Sequence, residues 1–384
     1  MEVNKPMNKN KQILFILLLT ILLLLEGCAS LENSNIVKYT INISECTNGV
    51  VTCDELSASS GDNIELSISP ADGYILKNGS LKYNDHIISS NTFVMPSTNI
   101  TITCEFIEEI NEKYTNLSYG DNAIQKYDLY VSPSALENSN VGVLIFIHGG
   151  FWVGGTKEYY KEYVEEYVTE YPDNIVVNMD YHLIIPLVNS GISMYTMLDD
   201  ITLCISDVKN IMYEYGIDLS GVALGGHSAG GHLAMMYSYT RQSSAPLPIK
   251  FCATFSGPAD FSDPELLKYR ETEYEEGTIQ GQTIDSIMYN LAGFSNIEET
   301  LANVDTFSPT SFISATSLPT IMAYGEKDRL VPFSNATILD ATLTSYNVDH
   351  EFITFPNSGH SLQSDVDKTS YLYQTIDDYA KRLF

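Results

Sequence analysis

Val222-Ala223-Leu224-Gly225-Gly226-His227-Ser228-Ala229-Gly230-Gly231-His232-Leu233-Ala234 is the stretch whose reading decides the fold. Its apolar start predicts a strand, Gly226-His227-Ser228-Ala229-Gly230 a tight turn, and the residues beyond it a helix. A serine hydroxyl is a weak nucleophile until such a turn holds it exposed beside a base, with backbone N–H groups aimed at the oxygen that becomes negative. Gly226 and Gly230 leave room for the turn. In isolation the pentapeptide also reads as a plain glycine-rich turn, so the decision rests on what surrounds it.

Upstream, Val141 to Ile147 is a continuous apolar run, the pattern of a strand buried on both faces, and it ends in His148-Gly149-Gly150-Phe151-Trp152. Glycines there free backbone N–H groups to converge with the N–H of Ala229 as an oxyanion hole. Downstream, the strand signal Thr320 to Tyr324 is followed by Gly325-Glu326-Lys327-Asp328-Arg329-Leu330-Val331. The Gly-x-x-Asp-x-x-Val frame selects Asp328 over Glu326 as the acid that orients a base. A last strand, Phe352 to Phe355, leads into Pro356-Asn357-Ser358-Gly359-His360 and places a histidine on the following loop. The order is Ser228, Asp328, His360.

From about Tyr127 to the C-terminus, these motifs resemble the α/β-hydrolase superfamily. Within it they are similar to the esterase branch that includes the kynurenine formamidase-like, hormone-sensitive-lipase-like and carbohydrate acetyl esterase groups. Asn178-Met179-Asp180-Tyr181-His182-Leu183 resembles a further family segment, with His182 where arginine is common. Phe151 stands where the lipase loop carries a third glycine. The resemblance implies a doubly wound, mostly parallel sheet of the α/β-hydrolase type. It also implies catalysis by Ser228, Asp328 and His360, with Gly149, Gly150, Phe151 and Ala229 at the oxyanion and substrate side. Neither a cofactor nor a metal is implied.

The chain has 384 residues, enough for one large α/β domain and a small companion. Its 49 acidic against 20 basic residues, a net charge of −29, argue against nucleic-acid binding, because a phosphate backbone needs a basic face. At the N-terminus Lys5, Lys9 and Lys11 precede the apolar run Ile13 to Leu25, a basic and then hydrophobic leader too short for a comfortable membrane span. Leu25-Glu26-Gly27-Cys28 resembles a bacterial lipobox, which implies a leader over 1–28 and lipid attached at Cys28. The protein would then be an exported, cell-envelope lipoprotein on the bacterial membrane surface. An ordinary secretion signal or an uncleaved anchor is the alternative, since Glu26 stands where a small residue is usual.

After a linker at 29–37, residues 38–108 show period-two alternation in Tyr39 to Ile43, Asn63 to Ile68 and Asn99 to Phe106, broken by Gly, Asn, Pro and Asp turns. This small all-β module resembles the divergent internalin-type B repeat of surface proteins, through Gly61-Asp62, Pro70-Ala71-Asp72-Gly73-Tyr74 and Phe93-Val94-Met95-Pro96. A spacer is the simpler role, glycan or protein binding the other. Alternation allows a Cys53–Cys104 bridge, with Cys46 as a competitor, while Cys204 and Cys252 fall in apolar stretches and read as buried and inert.

A linker is expected at 109–126 and the catalytic domain over 127–384. Between Phe255 and Thr320 a long insertion, about 258–317, carries helical periodicity in Ile284, Ile287, Met288 and Leu291 and reads as a lid. Met194 to Tyr213 reads as a core helix. The expectation is a serine hydrolase for a small acyl ester or amide, acetylated glycans among them. The alternatives are an arylformamidase-like amide hydrolase and a surface binding protein with an idle hydrolase domain.

Overall fold

The structure, a computed structural model, describes residues 37–138, 140–185, 191–272, 279 and 282–384. The expected leader and Cys28 lie outside the described residues. The chain divides into two compact units, Met1–Glu109 and Ile110–Phe384.

The described residues of the first unit are all β. Lys38–Ile43 lies between Ser57–Ser59 and Ile100–Thr103, pairing in parallel with the latter, and Gly49–Cys53 joins Asn63–Pro70 and Thr92–Val94 in a second sheet. The alternation seen in the sequence is the burial pattern: Ile64 and Leu66 from one sheet, and Ile100 and Ile102 from the other, meet in one small core with Met95. Of the two partners the sequence left open for Cys104, Cys46 is the one whose thiol acts on it. Cys53 lies opposite Leu66 in the second sheet, whereas Cys46 and Cys104 follow the parallel neighbours Lys38–Ile43 and Ile100–Thr103. Burial, with Cys46 adding to it, pushes the Cys104 thiol up to about 12. Cys46, Cys53 and Cys104 are free thiols.

The second unit is built on eight strands: β1 Lys113–Ser118, β2 Lys126–Tyr130, β3 Val143–Ile147, β4 Ile175–Met179, β5 Val222–His227, β6 Ile249–Phe255, β7 Thr320–Gly325 and β8 His350–Phe355. Their order in the sheet is β1-β2-β4-β3-β5-β6-β7-β8, antiparallel at the first two strands and parallel thereafter. Side-chain alternation explains the layering. Val143, Ile145 and Ile147 of β3 enter one core and Leu144 the other, so the strand needs apolar residues at every position. Helix α1 Lys161–Glu170 and the last helix, Val366–Leu383, contribute buried side chains to the Leu144 side, while α2 Met194–Glu214 and α3 Ala229–Thr240 contribute to the other. The periodic residues of α2, from Leu198 to Met212, are buried as their spacing requires.

One expectation is corrected here. The segment read as a linker at 109–126 contains β1, which pairs with β2 across a bulge between Tyr114 and Leu117. Most of its side chains are exposed, so an edge strand of this composition carries no apolar signal to announce it. The insertion before β7 carries helices Pro264–Thr272, Ile284–Ala292 and Ile297–Ala302.

Candidate active site

Every candidate catalytic side chain sits just beyond the C-terminal end of a parallel strand. β5 ends at His227, Ser228 takes φ +54° and ψ −120°, and α3 begins at Ala229. A non-glycine residue in that region is strained, and such strain recurs where a side chain must be presented. The glycines of the turn are fixed by contact rather than by flexibility. A Cβ on Gly230 would lie 2.0 Å from the Ile147 carbonyl oxygen, and one on Gly226 2.4 Å from the Gly230 carbonyl. The Ser228 N–H donates to the Phe255 carbonyl at 2.8 Å, which ties the turn to β6. Buried along its whole first turns, α3 points its N-terminus, with its partial positive charge, at this position.

The loop after β3 is equally strained: Gly150, Phe151 and Trp152 have φ of +123°, +54° and +59°. A Cβ on Gly149 would fall 3.0 Å from the Ser228 Cβ, so the loop lies directly against the nucleophile candidate. The His148 Nδ1–H donates to the Gly149 carbonyl at 2.7 Å, and the Tyr181 hydroxyl donates to the His148 carbonyl at 2.9 Å while its ring stacks on the imidazole. Burial holds His148 down to about 4. Among the described residues, the N–H groups of Gly150 and Phe151 have no backbone acceptor. Gly149 packs on the nucleophile turn, where a Cβ would also lie 3.3 Å from His227 Nδ1.

Asp328 and His360 are brought together. Asp328 Oδ2 accepts from His360 Nδ1 at 2.8 Å, while Oδ1 accepts from the N–H groups of Leu330 and Val331 at 2.8 and 3.0 Å. The carboxylate side chain is fully buried and three donors hold it. Gly325, the last residue of β7, lets the two loops touch, since a Cβ there would lie 2.4 Å from the Gly359 carbonyl oxygen. Ser228 and His360 line one cavity of about 60 Å³, closed by Phe151, Trp152, Phe261 and Leu330. The insertion helices supply Leu266, Leu267, Ile287 and Met288 to the same walls. Trp152 also packs edge-on against His232, 5.2 Å between ring centres.

Three supports were not visible in the sequence. Lys157 is 2 % exposed and its Nζ sits 3.0 Å from the Asp128 carboxylate, itself 1 % exposed. Its N–H donates to Asp180 at 2.6 Å, so the Asn178–His182 segment is fastened behind the oxyanion loop. His182 pairs with the buried Asp200, its Nδ1 2.8 Å from Oδ2. His227 contacts both Tyr160 and the His360 backbone.

The comparisons with known proteins agree with this architecture. Residues 127–343 match the model of the family described as BD-FAE, residues 306–383 that of the dienelactone hydrolase family, and residues 39–109 that of the divergent InlB B-repeat domain. A kynurenine formamidase of Salmo salar is 28% identical over 157 residues, 38% of this chain. The chain spans 46% of that relative's length. Among solved structures, a truncated carbohydrate esterase from gut microbiota superposes with a TM-score of 0.55 at 16% identity, covering 71% of this chain and 96% of that one. Esterase B from Lactobacillus rhamnosis gives 0.55 at 18%, covering 70% and 87%. Carboxyl esterase 2 from Tuber melanosporum gives 0.53 at 19%, covering 72% and 89%. At these identities the likeness is one of fold.

Proposed function

The chain belongs to the BD-FAE family and is an α/β-hydrolase of the carboxylesterase type, and we propose that it cleaves short acyl esters through an acyl-enzyme formed on Ser228. The observation that carries this reading is the common cavity: Ser228, on its strained turn, faces the same small apolar space as a His360 whose Nδ1–H is held by Asp328. With Nδ1 donating to Asp328, the His360 Nε2 is left as the base. It takes the Ser228 proton as the hydroxyl attacks the ester carbonyl and returns it to the departing alcohol. The N–H groups of Gly150, Phe151 and Ala229 receive the oxyanion, helped by the N-terminus of α3. Water then releases the acid by the same steps in reverse. A cavity of about 60 Å³ walled by aromatic and aliphatic side chains suits an acetyl-sized acyl group and leaves the alcohol outside.

Acetylated sugars are the natural esters in this reading, and an N-terminal leader with lipid on Cys28 would hold the enzyme at the cell envelope, where such substrates occur. A formyl group on an aromatic amine is the competing substrate, favoured by the Salmo salar relative. Turnover of p-nitrophenyl esters from acetate to octanoate, acetylated sugars and formylated aryl amines tests the proposal. The expected kcat/KM is highest for acetate and falls with acyl length. Preference for the formamide would replace the ester reading, and no turnover of any member would leave an idle domain. Replacing Cys28 by Ser should abolish membrane fractionation without altering esterase activity.

A further inference from the structure

We propose that Tyr160 and His227 are positioning residues that brace the His360 loop, beside the oxyanion loop, through one chain of hydrogen bonds. The inference rests on the serine-hydrolase reading above and adds two residues that touch no substrate. Its starting point is the His360 carbonyl, which lies 2.7 Å from His227 Nε2. A carbonyl only accepts, so Nε2 carries the proton. In the neutral imidazole Nδ1 is then a bare acceptor, and the Tyr160 hydroxyl stands 2.6 Å from it as donor. The loop after β3 packs on the same pair, since a Cβ on Gly149 would lie 3.3 Å from His227 Nδ1. Donors and acceptors therefore alternate without a free choice, from the residue that opens α1, through the last residue of β5, to the loop after β8.

The imidazole does not need to titrate for this. Burial and the neighbouring His360 ring hold His227 down to about 4, so it stays neutral and keeps one tautomer through the neutral range. The His227 and His360 rings are 4.8 Å apart, close enough that a shift of one displaces the other. Asp328 fixes the His360 side chain from one end; the brace fixes its backbone from the other. Misplacing a catalytic group by about 1 Å costs on the order of 100-fold in rate, which is the scale on which a lost brace should register.

The test is steady-state kinetics of the full-length protein on p-nitrophenyl acetate for His227→Leu, His227→Gln and Tyr160→Phe, with Ser228→Ala as control and thermal midpoints alongside. His227→Leu, which removes both hydrogen bonds, should lower kcat roughly 30-fold with KM within about twofold. His227→Gln keeps a donor for the carbonyl and should recover to within about fivefold of wild type. Tyr160→Phe keeps the ring and loses only the donor to Nδ1, so kcat should fall roughly fivefold at unchanged KM. Should His227→Leu fail to fold, Tyr160→Phe decides. Wild-type kcat in Tyr160→Phe, equal losses in the Gln and Leu variants, or a loss expressed in KM would each overturn the brace. Activity retained in Ser228→Ala would instead remove the reading on which it rests.

Discussion

The two units of this chain place left-handed backbone differently. In the β module the non-glycine residues with positive φ are Asn48 and Asn84, the residue type that visits this region at little cost. In the hydrolase unit Phe151, Trp152, Ser228, Ser256 and Leu362 share that conformation, all of them in segments that follow β3, β5, β6 and β8 at one end of the sheet. None has a side chain that eases it. Asn116 and Asn347, the two asparagines with positive φ among the described residues of the same unit, lie in β1 and ahead of β8, away from the cavity. The module turns its chain cheaply wherever a hairpin needs it, whereas the hydrolase spends packing energy to hold strained residues at one end of its sheet.

That contrast breaks first at the glycines. Gly230→Ala sets a Cβ 2.0 Å from a backbone oxygen that cannot move without β3, so it should cost more than about 3 kcal/mol and abolish turnover. Gly73→Ala in the module meets no atom within 4 Å and bears only the cost of φ +78°, about 1 kcal/mol. Denaturant unfolding followed region by region by hydrogen exchange separates the two, and similar losses would undo the contrast.

Acid should come next. His148, His227 and His232 are each held down to about 4, chiefly by burial, against about 6.5 in an unfolded chain. The unfolded state therefore takes up these protons first. Their contribution is fully present above pH 6.5 and drains as pH falls toward 4, on the order of 2 kcal/mol for each by pH 5. The module's single histidine, His86, is exposed. Exchange protection in the hydrolase unit should fall between pH 6.5 and 5 while that of the module holds, and parallel loss in both would contradict the assignment. The smallest effect is relief of strain: Ser228→Gly should stabilise the hydrolase unit by about 1 kcal/mol while ending turnover, against a few tenths for Asn48→Gly in the module.

What could be read from the sequence follows the same division between local and distant pairing. β3, β5 and β7 were legible because strands buried on both faces need apolar runs, and β8, the half-buried edge strand, through its short run Phe352 to Phe355; Ser228, Asp328 and His360 each follow such a run within a few residues. The β module was legible because alternation is its only way to build a core from thin sheets, and its match to the B-repeat model covers the same residues. β1 was missed because an edge strand with one wet face resembles a polar linker. Lys157 was missed because nothing in Thr156-Lys157-Glu158-Tyr159 announces a buried cation, and its partner Asp128 comes from another strand. Tyr160 and His227 are 67 positions apart, and no local pattern links them.

The claim at the centre of this account is that Ser228 alone is activated by its surroundings. Treating the full-length protein with a fluorophosphonate and mapping adducts by peptide mass spectrometry tests it most directly. One adduct is predicted, on the peptide that carries Ser228, absent from Ser228→Ala and formed far more slowly in His360→Ala. An adduct on another residue, or undiminished labelling of Ser228→Ala, would contradict it.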